Sequence, residues 1–288
     1  MSFISDTAFP RQIADHVIKN AMRGDVTSVI NVMNQYCHAL KSVGMNVGDA
    51  KGAILDKCFL EASPQNVLEL GCYCGYSALR MGRLLKEGAK IYTVEGNPDF
   101  ADVAQEIITF AGMEEKIQIV RGFSEKVLPT IAAKYGVRTF DFVFIDHAKD
   151  LYERDLKMLE DLGLMRNGTT ILADNVIYPG APKYLEYVRN NTKYDCTTYP
   201  TKLQFRENID DALERFKLSI FNKTVRVTTT KQHRRHDTLR PLTAWSRLTL
   251  PSSTAGLIKE ITQRREEALY TRNIINIIQQ GKVSQYCK

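Results

Sequence analysis

NVLELGCYCGYSALRMGRLL, residues 66–85, changes its period half-way along. The apolar run NVLELG passes through Gly71 and Gly75 into YSALRMGRLL, where apolar residues recur at helical spacing. A strand entering a helix across a glycine turn opens a doubly wound α/β sheet, and its turn lies where such sheets bind ligands, outside the carboxyl ends of the strands. Glycines let backbone approach a ligand closely, and Glu69 can receive a cationic amine; the same residues can also simply shape the turn. The spacing differs from GxGxxG, the form that cradles a pyrophosphate, which argues against NAD.

The alternation continues on both sides of this unit. Short apolar runs at 90–95 (KIYTVE), 116–122 (KIQIVRG), 140–146 (FDFVFID) and 169–175 (TTILADN) predict four more strands of a mostly parallel sheet. Between them, 76–88, 100–112 and 152–163 have helical spacing and end in Gly88, Gly112 and Gly163, the residue type that favours a helix C-terminus. Asn97 and Pro98 make an N-cap and first-turn pair. Residues 11–62 read as two or three helices broken at Gly24-Asp25 and Gly44, and YDCTTY with TKLQF as an antiparallel hairpin that closes the sheet. DDALERFKLSIF, 210–221, is expected to be a helix.

The chain has 288 residues, enough for one substantial core, and its net charge of +6 is unevenly spread. Residues 206–288 hold 16 Lys+Arg against 8 Asp+Glu, whereas residues 1–205 hold 23 against 25. The basicity therefore belongs to the tail, and nucleic-acid binding is not expected of the body. Residues 1–205, extendable to 215, read as the catalytic domain. Residues 216–288 read as a basic extension, partly disordered, with a helix over 255–279; a docking helix and a non-native end are the other readings of it. No apolar run approaches the roughly 18 residues that a membrane span needs, and the six cysteines lack disulfide or zinc spacing, so a cytoplasmic protein with reduced thiols is expected.

Three strand ends carry the chemistry. Glu95 ends a strand 24 residues beyond Gly71, at about the spacing from which an acid accepts ribose hydroxyls. Asp146, Asp174 and Asn175 end two further strands and supply oxygen ligands of the kind Mg²⁺ takes, although an acid there can also be a helix N-cap. Lys149, three residues after Asp146, is either a general base or a solvated lysine; His147 is expected to pack near a cofactor ring.

Together these stretches resemble the catechol O-methyltransferase family over about residues 8–205: MNVGDAKGAILD at 45–56, VLELGCYCGYSALRMGRLL, VEGNPD, VFIDHAKD, GTTILADNVIYPG, and YVRN followed by YDCTTY. The resemblance implies a Rossmann-like methyltransferase fold and S-adenosylmethionine as cofactor. Glu69, Gly71, Tyr73 and Ser77 would line its methionine part, with Met45, Asn46 and Val47 from the preceding region; Glu95 would hold the ribose, and Ser124 and His147 the adenine. Asp146, also placed beside the cofactor, Asp174 and Asn175 would bind Mg²⁺, and Lys149 would be the base for a small catechol-like diol also contacted by Asn175. A monomer is implied as well.

Three departures bear on the acceptor. Gln204 stands where the family has an acid toward the second hydroxyl, and Val43 and Ala148 stand where it has tryptophans, while Pro179 keeps the remaining wall. A wider, less selective ring pocket follows, and so does the competing reading of a cofactor-binding protein with weak or altered transfer.

Overall fold

The computed structural model describes residues 8–40, 47–203 and 206–218. Met45, Asn46, Val43 and Gln204 lie outside the described residues, as do the tail readings over 219–288. Three helices come first: α1 (Ala8–Asn20), α2 (Val26–Ala39) and α3 (Gly48–Ala62). Asp25 starts α2 by accepting from the amides of Thr27 and Ser28, which are otherwise orphaned at a helix start.

The alternating units follow. They are β1 (Asn66–Leu70), α4 (Tyr76–Gly82), β2 (Lys90–Glu95), α5 (Pro98–Phe110), β3 (Ile117–Arg121), α6 (Ser124–Tyr135), β4 (Phe140–Ile145), α7 (Tyr152–Asp161), β5 (Met165–Ala173) and α8 (Pro182–Arg189), and β6 (Tyr194–Leu203) and β7 (Arg206–Leu218) end the described chain. Among the described residues seven strands make one sheet in the order β3-β2-β1-β4-β5-β7-β6. The first five are parallel, and β7 runs antiparallel to both β5 and β6. The order in which strands are added reverses between β1 and β4, which opens a crevice at their carboxyl ends.

Both faces of the sheet are covered, which explains why the central strands are apolar throughout instead of alternating. Val67, Ile91, Phe142 and Phe144 pack under α1 to α5, while Leu68, Leu70, Val143, Ile145 and Ile171 pack under α6 to α8. The pleat sends neighbouring residues to opposite faces, so Glu69 lies on the same side as Val67, toward α3 and α4.

Three sequence expectations need correction. The helix expected over 76–88 stops at Gly82; Gly88 sits at φ +75° in the turn before β2 and does not cap it. Over 210–221 the described part, to Leu218, is strand: Ala212, Leu213, Phe216 and Leu218 are buried as β7 fills the gap between β5 and β6. Helix-forming residues there yield to a partner strand on each side, a tertiary effect that outweighs local propensity. The hairpin expected between YDCTTY and TKLQF is also corrected: YDCTTY and residues 201–203 lie on one continuous strand, β6, whose antiparallel partner is β7, a strand that passes the 205 and 215 limits read from the sequence.

Candidate active site

The turn after β1 is built for close approach. Gly71 has φ +100°, and a Cβ on it would stand 2.5 Å from the carbonyl oxygen of Asp146. Only glycine fits there. The turn is tied to the next strand by Glu95, whose Oε2 accepts from the amides of Tyr73 (2.9 Å) and Cys72 (3.2 Å) while Oε1 accepts from Asn97 (2.8 Å). Tyr73 adopts φ +50° and sets its ring edge-on to Phe100.

Glu69 is fully buried beneath this turn. Its Oε2 accepts from the Thr93 hydroxyl, but Oε1 has no partner. Burial pushes its carboxyl up to about 8, against the pull of the Ser77 and Thr93 hydroxyls. A buried acid with an orphaned oxygen invites a cationic donor. Val47, at the start of α3, is buried in the same half of the core.

Asp146, which directly follows β4, and Asp174 and Asn175, which follow β5, come together with three residues that the sequence reading had not assigned: Lys51, Tyr152 and Asp211. Lys51 Nζ lies 2.8 Å from Asp174 Oδ1 and 2.6 Å from Asp211 Oδ2, with all three side chains almost wholly buried. Burial alone would lower the Lys51 pKa, yet Asp174 and Asp211 more than offset it, so the ammonium stays charged. Asn175 Nδ2 donates to Asp211 Oδ2 (2.8 Å), which commits the amide nitrogen and leaves Oδ1 as the acceptor end. Lys149 Nζ donates to Asp146 Oδ1 (2.8 Å) and to the Tyr152 hydroxyl (2.6 Å), and that hydroxyl donates to the Asp174 carbonyl (3.1 Å).

The charges do not balance. Three carboxylates share two lysines, of which Lys51 is held charged, and Asp174 is pushed up to about 6 by burial first and by Asp146 second. The hard oxygens of Asp146, Asp174 and Asn175 suit a divalent cation that would relieve this excess. Among the described residues no cluster of three or more His, Cys, Asp and Glu side chains is disposed around a metal position, so the set depends on the Asn175 amide.

At the other end of the crevice, His147 Nε2 pairs with buried Asp155 Oδ2 (2.7 Å), and its ring stacks on Tyr152. Arg154 links Asp155 Oδ1 (2.7 Å) to Ser124 Oγ (2.8 Å), so the two expected adenine neighbours share one network. His147 Nδ1 is buried without a partner. Ala148 lies in the β4 exit, and Pro179 in the turn after Asn175.

Lys51 occupies an apolar-face position of α3, in step with Leu55, Cys58 and Phe59. A lysine at such a position was the available signal for it. Asp211 could be found only by reading 206–218 as a strand.

The chain and its fold have known counterparts. A family model described as O-methyltransferase matches residues 24–220. The chain belongs to the O-methyltransferase family. Catechol O-methyltransferase of Bos taurus is 46% identical over 200 residues, which is 69% of this chain and 73% of that protein. Catechol O-methyltransferase B of Danio rerio is 47% identical over 206 residues, covering 72% and 77%. In structure, the O-methyltransferase TomG from Streptomyces achromogenes, solved in complex with SAM, superposes with a TM-score of 0.57 at 20% identity, covering 66% of this chain and 89% of that one. That likeness concerns the fold. Among the described residues no helix is long and apolar enough to cross a membrane.

Proposed function

We propose that this protein transfers a methyl group from S-adenosylmethionine to one hydroxyl of a catechol-like diol, assisted by Mg²⁺. One observation carries the reading: the carboxyl ends of the paired strands β1 and β4 bring an orphaned carboxylate oxygen on Glu69 and a lysine, Lys149, bonded to Asp146, to the same end of the sheet. The names of the relatives above favour the same acceptor.

S-adenosylmethionine supplies an electrophilic sulfonium methyl, and Mg²⁺ lowers the cost of ionising a hydroxyl. Glu69, Gly71, Tyr73 and Ser77 hold the methionine part, with Met45, Asn46 and Val47 beside them. Glu95 accepts from the ribose, and Ser124 and His147 border the adenine. Asp146, Asp174 and Asn175 hold Mg²⁺. Lys149 Nζ, within reach of a hydroxyl held at Asp146, would be the group that accepts its proton. Lys51 is unsuited to that role because two carboxylates keep it charged. By the resemblance, Pro179 and Val43 would flank the ring, and Gln204 would accept from the second hydroxyl without adding charge. Most of the rate advantage comes from positioning.

The cysteines Cys37, Cys58, Cys72, Cys74 and Cys196 are free thiols, which fits a reducing compartment, and we assign the protein to the cytosol. The test is transfer of labelled methyl to a catechol panel with and without Mg²⁺, for wild type and Asp174→Ala. Metal-dependent transfer that the variant loses is expected. Cofactor binding with no transfer to any catechol would overturn the acceptor assignment.

A further inference from the structure

Phe123 stands between Gly122, just past the end of β3, and Ser124, where α6 begins. The residue is 58% exposed, at the carboxyl end of the sheet. The ring is nevertheless seated, because it rests against Gly96, the residue after Glu95. A Cβ at Gly96 would come within 2.6 Å of ring atom Cδ1 and 2.7 Å of Cε1. Gly96 is not among the residues of positive φ, so its backbone does not demand a glycine. What excludes a side chain there is the ring.

This pairing lies at the carboxyl ends of β2 and β3, one residue from Glu95 and one from Ser124. Among the described residues the other exposed large aromatic is Tyr178, which belongs to the turn after Asn175. At the β4 exit the His147 ring is already stacked on Tyr152, and Ala148 has no ring. An aromatic ring held on one side by backbone and open on the other presents a flat apolar surface to a planar ligand.

We propose that Phe123 is the platform on which the adenine of the cofactor stacks, and that Gly96 is kept free of a side chain to seat it. This rests on the S-adenosylmethionine reading above. Base-on-aromatic stacking supports an effect of about 10-fold in affinity for one base.

The experiment is calorimetric titration of the full-length chain with S-adenosylhomocysteine, for wild type, Phe123→Leu, Phe123→Trp and Gly96→Val. Phe123→Leu keeps an apolar cover but loses the π face, and it should bind about 10-fold more weakly with an unchanged thermal midpoint. Phe123→Trp should bind at least as tightly as wild type. Gly96→Val, which displaces the ring without removing it, should weaken binding like Phe123→Leu. If wild type binds and Phe123→Leu matches it, the platform is overturned while the cofactor reading stands. If wild type does not bind, the cofactor reading falls and takes the platform with it.

Discussion

Lys51→Met removes the ammonium that touches both Asp174 and Asp211 while keeping a side chain of similar length. Two carboxylates, with side chains 2% and 0% exposed, then face each other without a cation. Taking one partner from a buried ion pair costs about 3–5 kcal/mol. At about 2–4 °C per kcal/mol for a body of this size, the midpoint should fall by about 6–20 °C. The loss should depend on pH with a definite sign. Without Lys51 both acids hold protons more tightly folded than unfolded, and Asp174 already sits at about 6. The folded state then binds more protons, so stability falls as pH rises from the unfolded carboxylate range through the folded values. The deficit should be larger at about pH 7.5 than at about pH 5. Lys51→Met with Asp211→Asn should recover part of it, since the amide is neutral and its oxygen can still accept from Asn175. Thermal melts followed by circular dichroism at both pH values decide the matter. A midpoint within about 2 °C of wild type, or a deficit that grows as pH falls, would refute the account of the charge cluster.

Gly71→Ala should disrupt both folding and cofactor binding, because its Cβ meets the Asp146 carbonyl at 2.5 Å in a positive-φ turn; a normal melt together with normal binding would contradict this. Lys149→Met should cut turnover by about 10²–10⁴-fold while leaving S-adenosylhomocysteine affinity near wild type, as separate kinetic and calorimetric measurements would show. Glu69, raised to about 8, is protonated near neutral pH until a cationic amine arrives, so cofactor binding should release a proton and tighten as pH rises toward about 8. Titrations in buffers of different ionisation enthalpy would detect the proton, and Glu69→Gln should flatten the pH dependence.

The parallel half of the sheet was legible because each of its strands is buried on both faces and announces itself as an apolar run. The expected 90–95 and 140–146 match the observed strands within a residue, and the Asn97-Pro98 start holds, with the Asn97 side chain accepting from the Asp99 amide (2.9 Å). Strand-end acids were legible for the same reason, since a carboxylate closing an apolar run stands out. What the sequence hid was pairing across distance. DDALERFKL carries helix formers, and only the gap between β5 and β6 makes it a strand; only then do Asp211 and Glu214 become buried acids, the latter matched by Arg189 (3.0 Å). Lys51 lay in a quoted motif but drew no role, because its two partners are far along the chain. Phe123 was passed over because an exposed phenylalanine has no periodicity to betray it.

Lys51 and Asp211 are 160 residues apart, and the hairpin that delivers Asp211 is the last described piece of the chain. During synthesis, therefore, the α3 ammonium waits with no Asp211 to meet until the ribosome has released nearly all of the domain. Closing so long a loop is slow compared with forming the neighbouring βα units, and long-range contacts of this kind reward the chain only at the end. A nascent chain that stops before β7 has no partner for the outer edge of β5 and offers Lys51 only Asp174 of its two counter-charges. Completion of this charge cluster and closure of the sheet are thus one event, set by the arrival of β7.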